Sequence, residues 1–392
     1  MKAIQRFVLC HLAHLRHASL LILLCMLGSA HAHSSSNSFL TLYADDSRLT
    51  LRADINLRDL DLIFNLDQDR NGQVTWAEIL SKEDEITKWL EQGIQLNESS
   101  KACVFGSADI QASEHADGLY LSALWRPVCS QTMNLDSFKN TAFEMRYNLM
   151  FSQDNLHRGL LKLDLPELQS SFIFSPDRPE AMLTQASSSV SAVFFQYFLE
   201  GIWHIWIGID HILFLLSLLV LAPLQATKTK VIHWQAVPRA KTAVIEVLSV
   251  VTAFTLAHSM TLGASIMKWV EPSPNLIEPA IAISVVVVAI NNLLGWSAVK
   301  RWPLAFVFGL IHGFGFANVL LDLGLPNSTL ATALAGFNVG VEFGQLAIVC
   351  AFLPLAWMLR RTKFYRWGVV VCGSVAIAVI GFVWALERTG LL

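Results

Sequence analysis

The sequence has little charge for its length. Only 15% of the 392 residues are Asp, Glu, Lys or Arg, while 54% are hydrophobic and the mean hydropathy is +0.47. Soluble domains carry about 25% charged residues, so this composition excludes a wholly soluble globular protein. The abundance of apolar residues excludes a disordered chain. The formal net charge of −3 excludes a generally basic nucleic-acid binder, and we expect no nucleic-acid partner.

Cysteine is also scarce, with six residues in the chain. Four of them lie in strongly apolar segments: Cys10, Cys25, Cys350 and Cys372. Cys103 and Cys129 remain as an isolated pair in the polar part of the sequence. Such a pair in an exported segment predicts a disulfide, and two buried free thiols are the alternative.

The first 32 residues have the features of a secretory signal peptide. Basic residues without an acidic one precede the apolar run 20–27, and Ala30-His31-Ala32 has the small-x-small pattern of a cleavage site. An uncleaved anchor is the alternative, but the apolar run is short for a span of about 20 residues. We expect cleavage after Ala32 and export of the segment that follows.

Residues 33–195 are predicted to form an extracytoplasmic domain. They are polar and acidic, with 23 acidic and 13 basic residues. Period-two alternation of apolar residues, as in 38–43 and 49–55, predicts strands. We expect an α+β domain that is rich in strands and carries the helices of one calcium-binding motif. His115 and His157 are expected at its surface.

Residues 67–78 match the EF-hand calcium loop, whose oxygen ligands fall at fixed positions. Gly72 occupies the place of the sharp turn, and helical stripes of apolar residues flank the loop. The alternative is an acidic helix–turn–helix without a metal. The predicted Ca²⁺ ligands are Asp67, Asp69, Asn71, Gln73 and Glu78.

Residues 196–392 are predicted to form an all-α bundle of six transmembrane helices. Each apolar run is close to the ~20 residues that a bilayer requires. Ten Lys and Arg residues lie in the three loops on one side, against only Lys268 and Arg388 on the other. The positive-inside rule places the exported domain and the C-terminus on the periplasmic or extracellular side of the inner (plasma) membrane. The expected spans are roughly 202–222, 243–267, 279–299, 303–321, 331–358 and 367–386.

Titratable residues recur inside these spans. His204 and His211 are seven residues apart, which places them on one stripe of a continuous helix, and Asp210 lies well inside the hydrocarbon. Three more follow in later spans: His258, His312 and Glu342. A further stripe of Gly336, Gly340 and Gly344 permits close helix packing.

The span centres contain no Lys or Arg, so the buried acids have no obvious basic partner. A bare charge in hydrocarbon costs at least about 2.5 kcal/mol. The acids must therefore be protonated, pair with protonated histidines, or bind a cation. Imidazole and carboxylate suit Ni, Co, Zn, Mn or Fe, whereas Cu(I) prefers sulfur ligands.

Four runs in the membrane half resemble a known family. The run 204–211, followed by Ile-Leu-Phe-Leu, resembles the first span of the HupE/UreJ family of hydrogenase and urease accessory membrane proteins. The runs 254–262, 308–317 and 336–345 are similar to the subgroup with a large exported domain. The resemblance implies nickel or cobalt permeation, with His204, Asp210 and His211 essential. Maturation partners are not indicated by the sequence.

The sequence thus predicts a permease for Ni²⁺, Co²⁺ or Zn²⁺ in the lipid bilayer, with a calcium-binding exported domain. Asp210, His204 and His211 are expected to bind the metal directly, with His258, His312 and Glu342 completing the site. The sequence has no nucleotide-binding motif, so we expect transport to be passive, ion-coupled or driven by a partner. One alternative is an intramembrane metal-dependent hydrolase with an open water position. Another is a calcium-sensing structural membrane protein.

Overall fold

The computed structural model describes residues 36–45, 48–99, 101–115, 118–129, 143–165, 168–183, 189–227, 233–294, 300–315, 317, 327–389 and 391. The expected signal peptide, 1–32, lies outside the described residues. Beyond residue 32 the chain divides into two bodies: His33–Leu199 with Phe316–Phe337, and Glu200–Gly315 with Asn338–Leu392. The division falls four residues after the expected boundary at 195, and the grouping of Phe316–Phe337 with the first body was not anticipated.

The first body is built on two β-sheets. One sheet has the strand order β5-β6-β2-β1-β8-β9, and the other has the order β10-β7-β3-β4. Adjacent strands are antiparallel except for β1 and β8, which are parallel. The strands are β1 (Asn37–Asp45), β2 (Arg48–Asn56), β3 (Ile94–Glu98), β4 (Lys101–Ala102), β5 (Asp109–His115), β6 (Gly118–Trp125), β7 (Phe143–Tyr147), β8 (Arg158–Leu165), β9 (Leu168–Phe174) and β10 (Glu180–Leu183).

Three helices are inserted between β2 and β3: α1 (Leu57–Phe64), α2 (Trp76–Ser81) and α3 (Glu83–Gly93). They pack on the sheets through apolar side chains such as Leu60, Ile79 and Leu90, which belong to one buried cluster with both sheets. Alternating residues of each strand face this cluster, as the period-two pattern predicts. A β-containing N-terminal region is therefore confirmed.

Cys103 and Cys129 are joined by a disulfide in the structure. Both side chains are buried, and the backbones beside them are connected by a two-way hydrogen-bonded bridge between Val104 and Val128. The bond thus fastens the segment after β4 to the segment after β6.

The C-terminal region is helical, as expected. Among the described residues, four helices are long and apolar enough to cross a membrane, or five if the bent pair α4 and α5 is one span. The expected span 303–321 falls on α8, and residues 318–326 lie outside the described part of the chain. The helices are α4 (Val190–Ile207), α5 (Ile209–Leu219), α6 (Ala240–Ile266), α7 (Pro274–Leu294), α8 (Arg301–Gly315), α9 (Asn327–Leu359) and α10 (Tyr365–Arg388).

The first expected span is broken rather than continuous. Helix α4 ends at Ile207, helix α5 begins at Ile209, and the two axes differ in direction by 72°. The prediction that His204 and His211 share a stripe of one straight helix is therefore wrong. Two glycines of the predicted stripe do support close packing, because a Cβ on Gly336 or Gly344 would press on the backbone of α4 at Phe194 or Ile202.

The predicted surface position of His157 is also wrong, because this side chain is fully buried. Its Nδ1 lies 2.5 Å from Ser36 Oγ, and that hydroxyl donates to Asp59 Oδ2 at 2.6 Å. The Nδ1 must therefore carry the proton, and Nε2 accepts from Tyr147 OH at 2.6 Å. This network ties the start of β1 to α1, β7 and β8. His115 is partly buried too, 3.1 Å from Asp54.

Burial lowers the pKa of His157 to about 3, and the charge of Arg158 adds to the effect. Below pH 6.5 the unfolded chain takes up a proton at His157 that the folded chain excludes. The first body should therefore lose about 1.4 kcal/mol of stability per pH unit as the pH falls from 6.5 toward 3. The measurement is the melting temperature of fragment 33–189 as a function of pH. The His157→Gln variant should show a shallower acid slope, and parallel profiles would contradict this account.

Candidate metal centre

Three histidines from three helices meet in the second body. His204 lies near the end of α4, His211 in the first turn of α5, and His258 in the middle of α6. One ring nitrogen from each lies within 4.8 Å of the corresponding nitrogen of the other two. His211 and His258 are buried, and His204 is half-buried. The prediction grouped these residues, and the structure brings them together.

The break at Gly208 is what folds His211 back toward His204. Their ring centroids are 4.6 Å apart, although the residues lie on helices that point in different directions. A Cβ on Gly208 would lie 2.6 Å from His211 Nδ1 and 2.9 Å from the His204 carbonyl oxygen. The position therefore requires glycine because a side chain would lack space. Its backbone conformation imposes no such requirement, because any residue can adopt a φ of −68°.

Asp210 contacts His211 rather than the group of three nitrogens. Its Oδ1 lies 2.9 Å from His211 Nδ1 and accepts the backbone N–H of His211 at the same distance. A carboxylate beside Nδ1 fixes the proton there and leaves the lone pair on Nε2. Among the described residues, that buried Nε2 has no hydrogen-bond partner. Asp210 therefore orients a histidine ligand in this arrangement, instead of being the direct ligand that was expected.

The expectation that no basic residue balances Asp210 is wrong. Arg388, in the last turn of α10, approaches Asp210 Oδ2 with its Nη2 at 3.4 Å. Its Nη1 donates to the backbone carbonyl of Glu278 on α7 at 3.1 Å. The sequence pattern placed Arg388 beyond the last span and gave no sign that it reaches an acid near the start of the first.

His312 lies beside the group. Its ring centroid is 5.2 Å from that of His211, and its Nδ1 donates to the Phe308 carbonyl at 2.8 Å. Its buried Nε2, like that of His211, has no hydrogen-bond partner within the part of the chain that the structure describes. Close approach of α8 to α6 makes this possible, because Gly309 and Gly313 face the backbone of α6 where any Cβ would clash.

Glu342 does not join the histidines. Its Oε1 accepts a hydrogen bond from Thr252 Oγ1 at 3.4 Å, and Thr252 precedes His258 by six residues on α6, about 9 Å along the axis. One turn nearer to His258, Thr255 Oγ1 donates to Gln345 Oε1 at 3.1 Å. The carboxylate thus belongs to a separate polar contact between α6 and α9, and not to the same ligand group as expected.

The loop 67–78 forms a second group of candidate ligands in the first body. One carboxylate oxygen from each of Asp67, Asp69 and Glu78 lies within 4.8 Å of the other two. Gly72 has a φ of +81°, and its N–H donates to Asp67 Oδ2 at 2.8 Å. Glu78 also caps α2, where its Oε2 accepts from the Thr75 N–H at 2.8 Å.

Hydrogen bonds from the backbone favour the charged form of two carboxylates in this loop. Backbone donors, Gly72 foremost, lower the pKa of Asp67, and the Thr75 N–H does the same for the pKa of Glu78. The Oδ1 of Asn71 accepts a hydrogen bond from the Gln73 N–H at 2.8 Å, so this oxygen lies against the backbone of the loop. The arrangement concentrates negative charge and oxygen atoms at one small, exposed loop.

The apolar helices and the histidine group define a multi-pass membrane protein of a metal-handling class. Residues 180–388, more than half of the chain, match the family described as HupE / UreJ protein, and the chain belongs to that family. No curated protein matches it. The family comprises membrane accessory and transport proteins that handle metals such as nickel and cobalt, and not enzymes. The intramembrane hydrolase is therefore set aside.

The break at Gly208 yields a stability prediction. In Gly208→Ala the added Cβ would collide with His211 Nδ1, so we expect a loss of about 1–3 kcal/mol, typical of overpacking. Gly263→Ala on α6 is the matched control, because its Cβ meets no atom within 4 Å and alanine favours a helix by up to about 1 kcal/mol. Thermal unfolding of the full chain in detergent should therefore shift in opposite directions. A neutral Gly208→Ala would show that the close contact is not required.

Proposed function

We propose that this protein is a permease for a divalent transition metal of the Ni²⁺ or Co²⁺ type, with Zn²⁺ as the next candidate. The observation that carries the proposal is the meeting of three histidine nitrogens within 4.8 Å inside a membrane protein of this family. Neutral imidazole is a preferred ligand of these borderline metals. The described residues around the group supply no thiolate, which disfavours Cu(I).

In this proposal His204, His211 and His258 bind the metal directly. Asp210 holds the Nδ1 proton of His211 and raises the basicity of its Nε2, as carboxylates do behind metal-bound histidines. His312 offers a further lone pair next to His211, to which an ion can pass. Glu342, with Thr252, Thr255 and Gln345, supplies oxygen atoms farther along α6 toward the loops rich in basic residues.

The proposed setting is the inner membrane, with the exported domain and the C-terminus on the outer side. The bias of Lys and Arg toward the loops on the other side supports this orientation. The disulfide between Cys103 and Cys129 fits the same side, since disulfides persist in oxidising compartments. Metal then enters from the side of Arg388 and leaves past Glu342.

Removing a histidine of the group should abolish metal accumulation. We expect His211→Ala to eliminate the gain in cellular Ni²⁺ or Co²⁺ that expression of the wild-type chain produces under limiting supply, because one of three ligands is lost. Asp210→Asn, which keeps the size but not the charge, should also reduce it strongly, typically by 10- to 100-fold for an orienting carboxylate. The measurement is elemental analysis of cells, with membrane insertion verified by immunoblot.

His115→Ala is the control, because this histidine lies on β5 of the first body, beside Asp54. It should accumulate metal like the wild type. The permease proposal fails if wild-type expression changes the content of no divalent metal. If His211→Ala transports normally, the assignment of the site fails even though transport is established.

We also propose that the exported domain binds one Ca²⁺ in the loop 67–78. The support is the close approach of three carboxylate groups around the sharp turn at Gly72, which suits a hard cation that prefers oxygen. Asn71 and the Gln73 carbonyl would complete the ligand set. Single sites of extracellular modules bind with Kd values of about 10⁻⁴–10⁻³ M, so calcium outside the cell would fill the loop and rigidify it.

Calcium should therefore stabilise fragment 33–189 by about 1.4 kcal/mol when its concentration is tenfold above Kd. Asp69→Asn should remove most of this gain without touching the cap of α2, whereas Glu78→Gln should remove both the gain and the cap. Glu114→Gln, an exposed acid on β5, is the control and should keep the full calcium effect. The measurement is melting with Ca²⁺ and with chelator, and equal temperatures in the wild type would exclude the calcium site.

A further inference from the structure

Arg388 is a fixed positive charge at the edge of the histidine group. It reaches Asp210 from the far end of the chain, and both residues are largely shielded from solvent, with side-chain exposures of 17% and 18%. The two oxygens of Asp210 are thus divided between two partners: Oδ1 faces His211, and Oδ2 faces Arg388.

This arrangement explains how the negative charge of Asp210 is stabilised in an apolar environment without a metal. An unpaired carboxylate at this depth is strongly unfavourable. Arg388 supplies the balancing charge, and the contact of its Nη1 with the Glu278 carbonyl holds the guanidinium in place. A guanidinium remains charged throughout the physiological pH range, so protonation changes do not switch this partner off.

The same charge disfavours a metal ion nearby. A divalent cation bound at His211 would lie next to the carboxylate that Arg388 already neutralises, and like charges repel strongly at the effective dielectric of a protein. Without Arg388, Asp210 would contribute its full negative charge to the site. The pair therefore sets how tightly the histidines hold the ion.

We propose that Arg388 competes electrostatically with the metal for the negative charge of Asp210, which weakens binding enough to allow release. This inference rests on the proposed permease function and adds a residue that tunes affinity without binding the ion. Conduction requires a site that attracts the ion but does not trap it. When the metal arrives at the histidines, the Arg388–Asp210 contact loosens; when the contact reforms, the ion is expelled.

The test is titration of the full-length chain in detergent with NiCl₂ and with CoCl₂. Arg388→Gln should bind the metal about tenfold or more tightly than the wild type, because one unit of repelling charge is removed. Its dissociation should be slower by a similar factor, since affinity differences within one site lie mostly in the off-rate. Arg388→Lys keeps the charge and should stay close to the wild type.

Two further variants separate competition from a purely structural role. Glu387→Gln, the neighbour of Arg388 on α10, should leave metal affinity unchanged. In an Asp210→Asn background, Arg388→Gln should still tighten metal binding, because the guanidinium repels the ion whether or not the carboxylate is present, whereas a residue that only positioned Asp210 would have no further effect. The double variant also avoids leaving an unbalanced carboxylate, so it provides a folded sample if Arg388→Gln alone does not insert.

The outcomes are distinguishable. If the wild type binds Ni²⁺ or Co²⁺ and Arg388→Gln binds it equally or more weakly, the competition is refuted while the permease proposal stands. If Arg388→Lys behaves like Arg388→Gln, geometry rather than charge is responsible, and the inference is equally refuted. If neither the wild type nor Arg388→Gln binds either metal, the proposed function itself fails.

Discussion

The membrane half depends on one constraint: each polar group placed in an apolar environment must find a partner there. Asp210 meets this constraint with His211 on one oxygen and Arg388 on the other. Those contacts connect the first broken helix to the last helix and, through the Glu278 carbonyl, to α7. His312 obeys the same rule by donating to its own helix backbone. The Nε2 atoms of His211 and His312, which have no hydrogen-bond partner among the described residues, are available to a metal.

The sequence predicted the composition of this centre better than its geometry. His204, His211 and His258 were grouped because histidines are rare and costly in spans, and the structure brings them together. The prediction that one continuous helix aligns His204 and His211 was wrong. The helix breaks at Gly208, and across a break a spacing of seven residues does not place two side chains on one helix face. The sequence signal for this break was Gly208, which precedes Asp210 and His211. Arg388 was missed because its partner lies 178 residues away, and no local pattern encodes such a contact.

The first body shows a similar division. Alternating strands were predictable because one face of a strand is buried, and the group of carboxylates in 67–78 was predictable because their spacing matches a known loop pattern. His157 was assigned to the surface because a single histidine in a polar segment carries no periodic signal. Only the fold reveals that Ser36, Asp59 and Tyr147 surround it. Buried polar networks of this kind depend on contacts distant in sequence.

The broken helix also has an electrical consequence. A helix carries a partial negative charge at its C-terminal end and a partial positive charge at its N-terminal end. At Gly208 the C-terminal end of α4 meets the N-terminal end of α5. One end of each helix dipole therefore lies within the site. Asp210 lies in the first turn of α5, where the positive end stabilises a carboxylate, while His204 lies where the negative end favours a cation. An unbroken helix would have placed neither end there, so the break puts a negative helix end beside His204, where it favours a cation, and a positive helix end beside Asp210, where it stabilises the carboxylate.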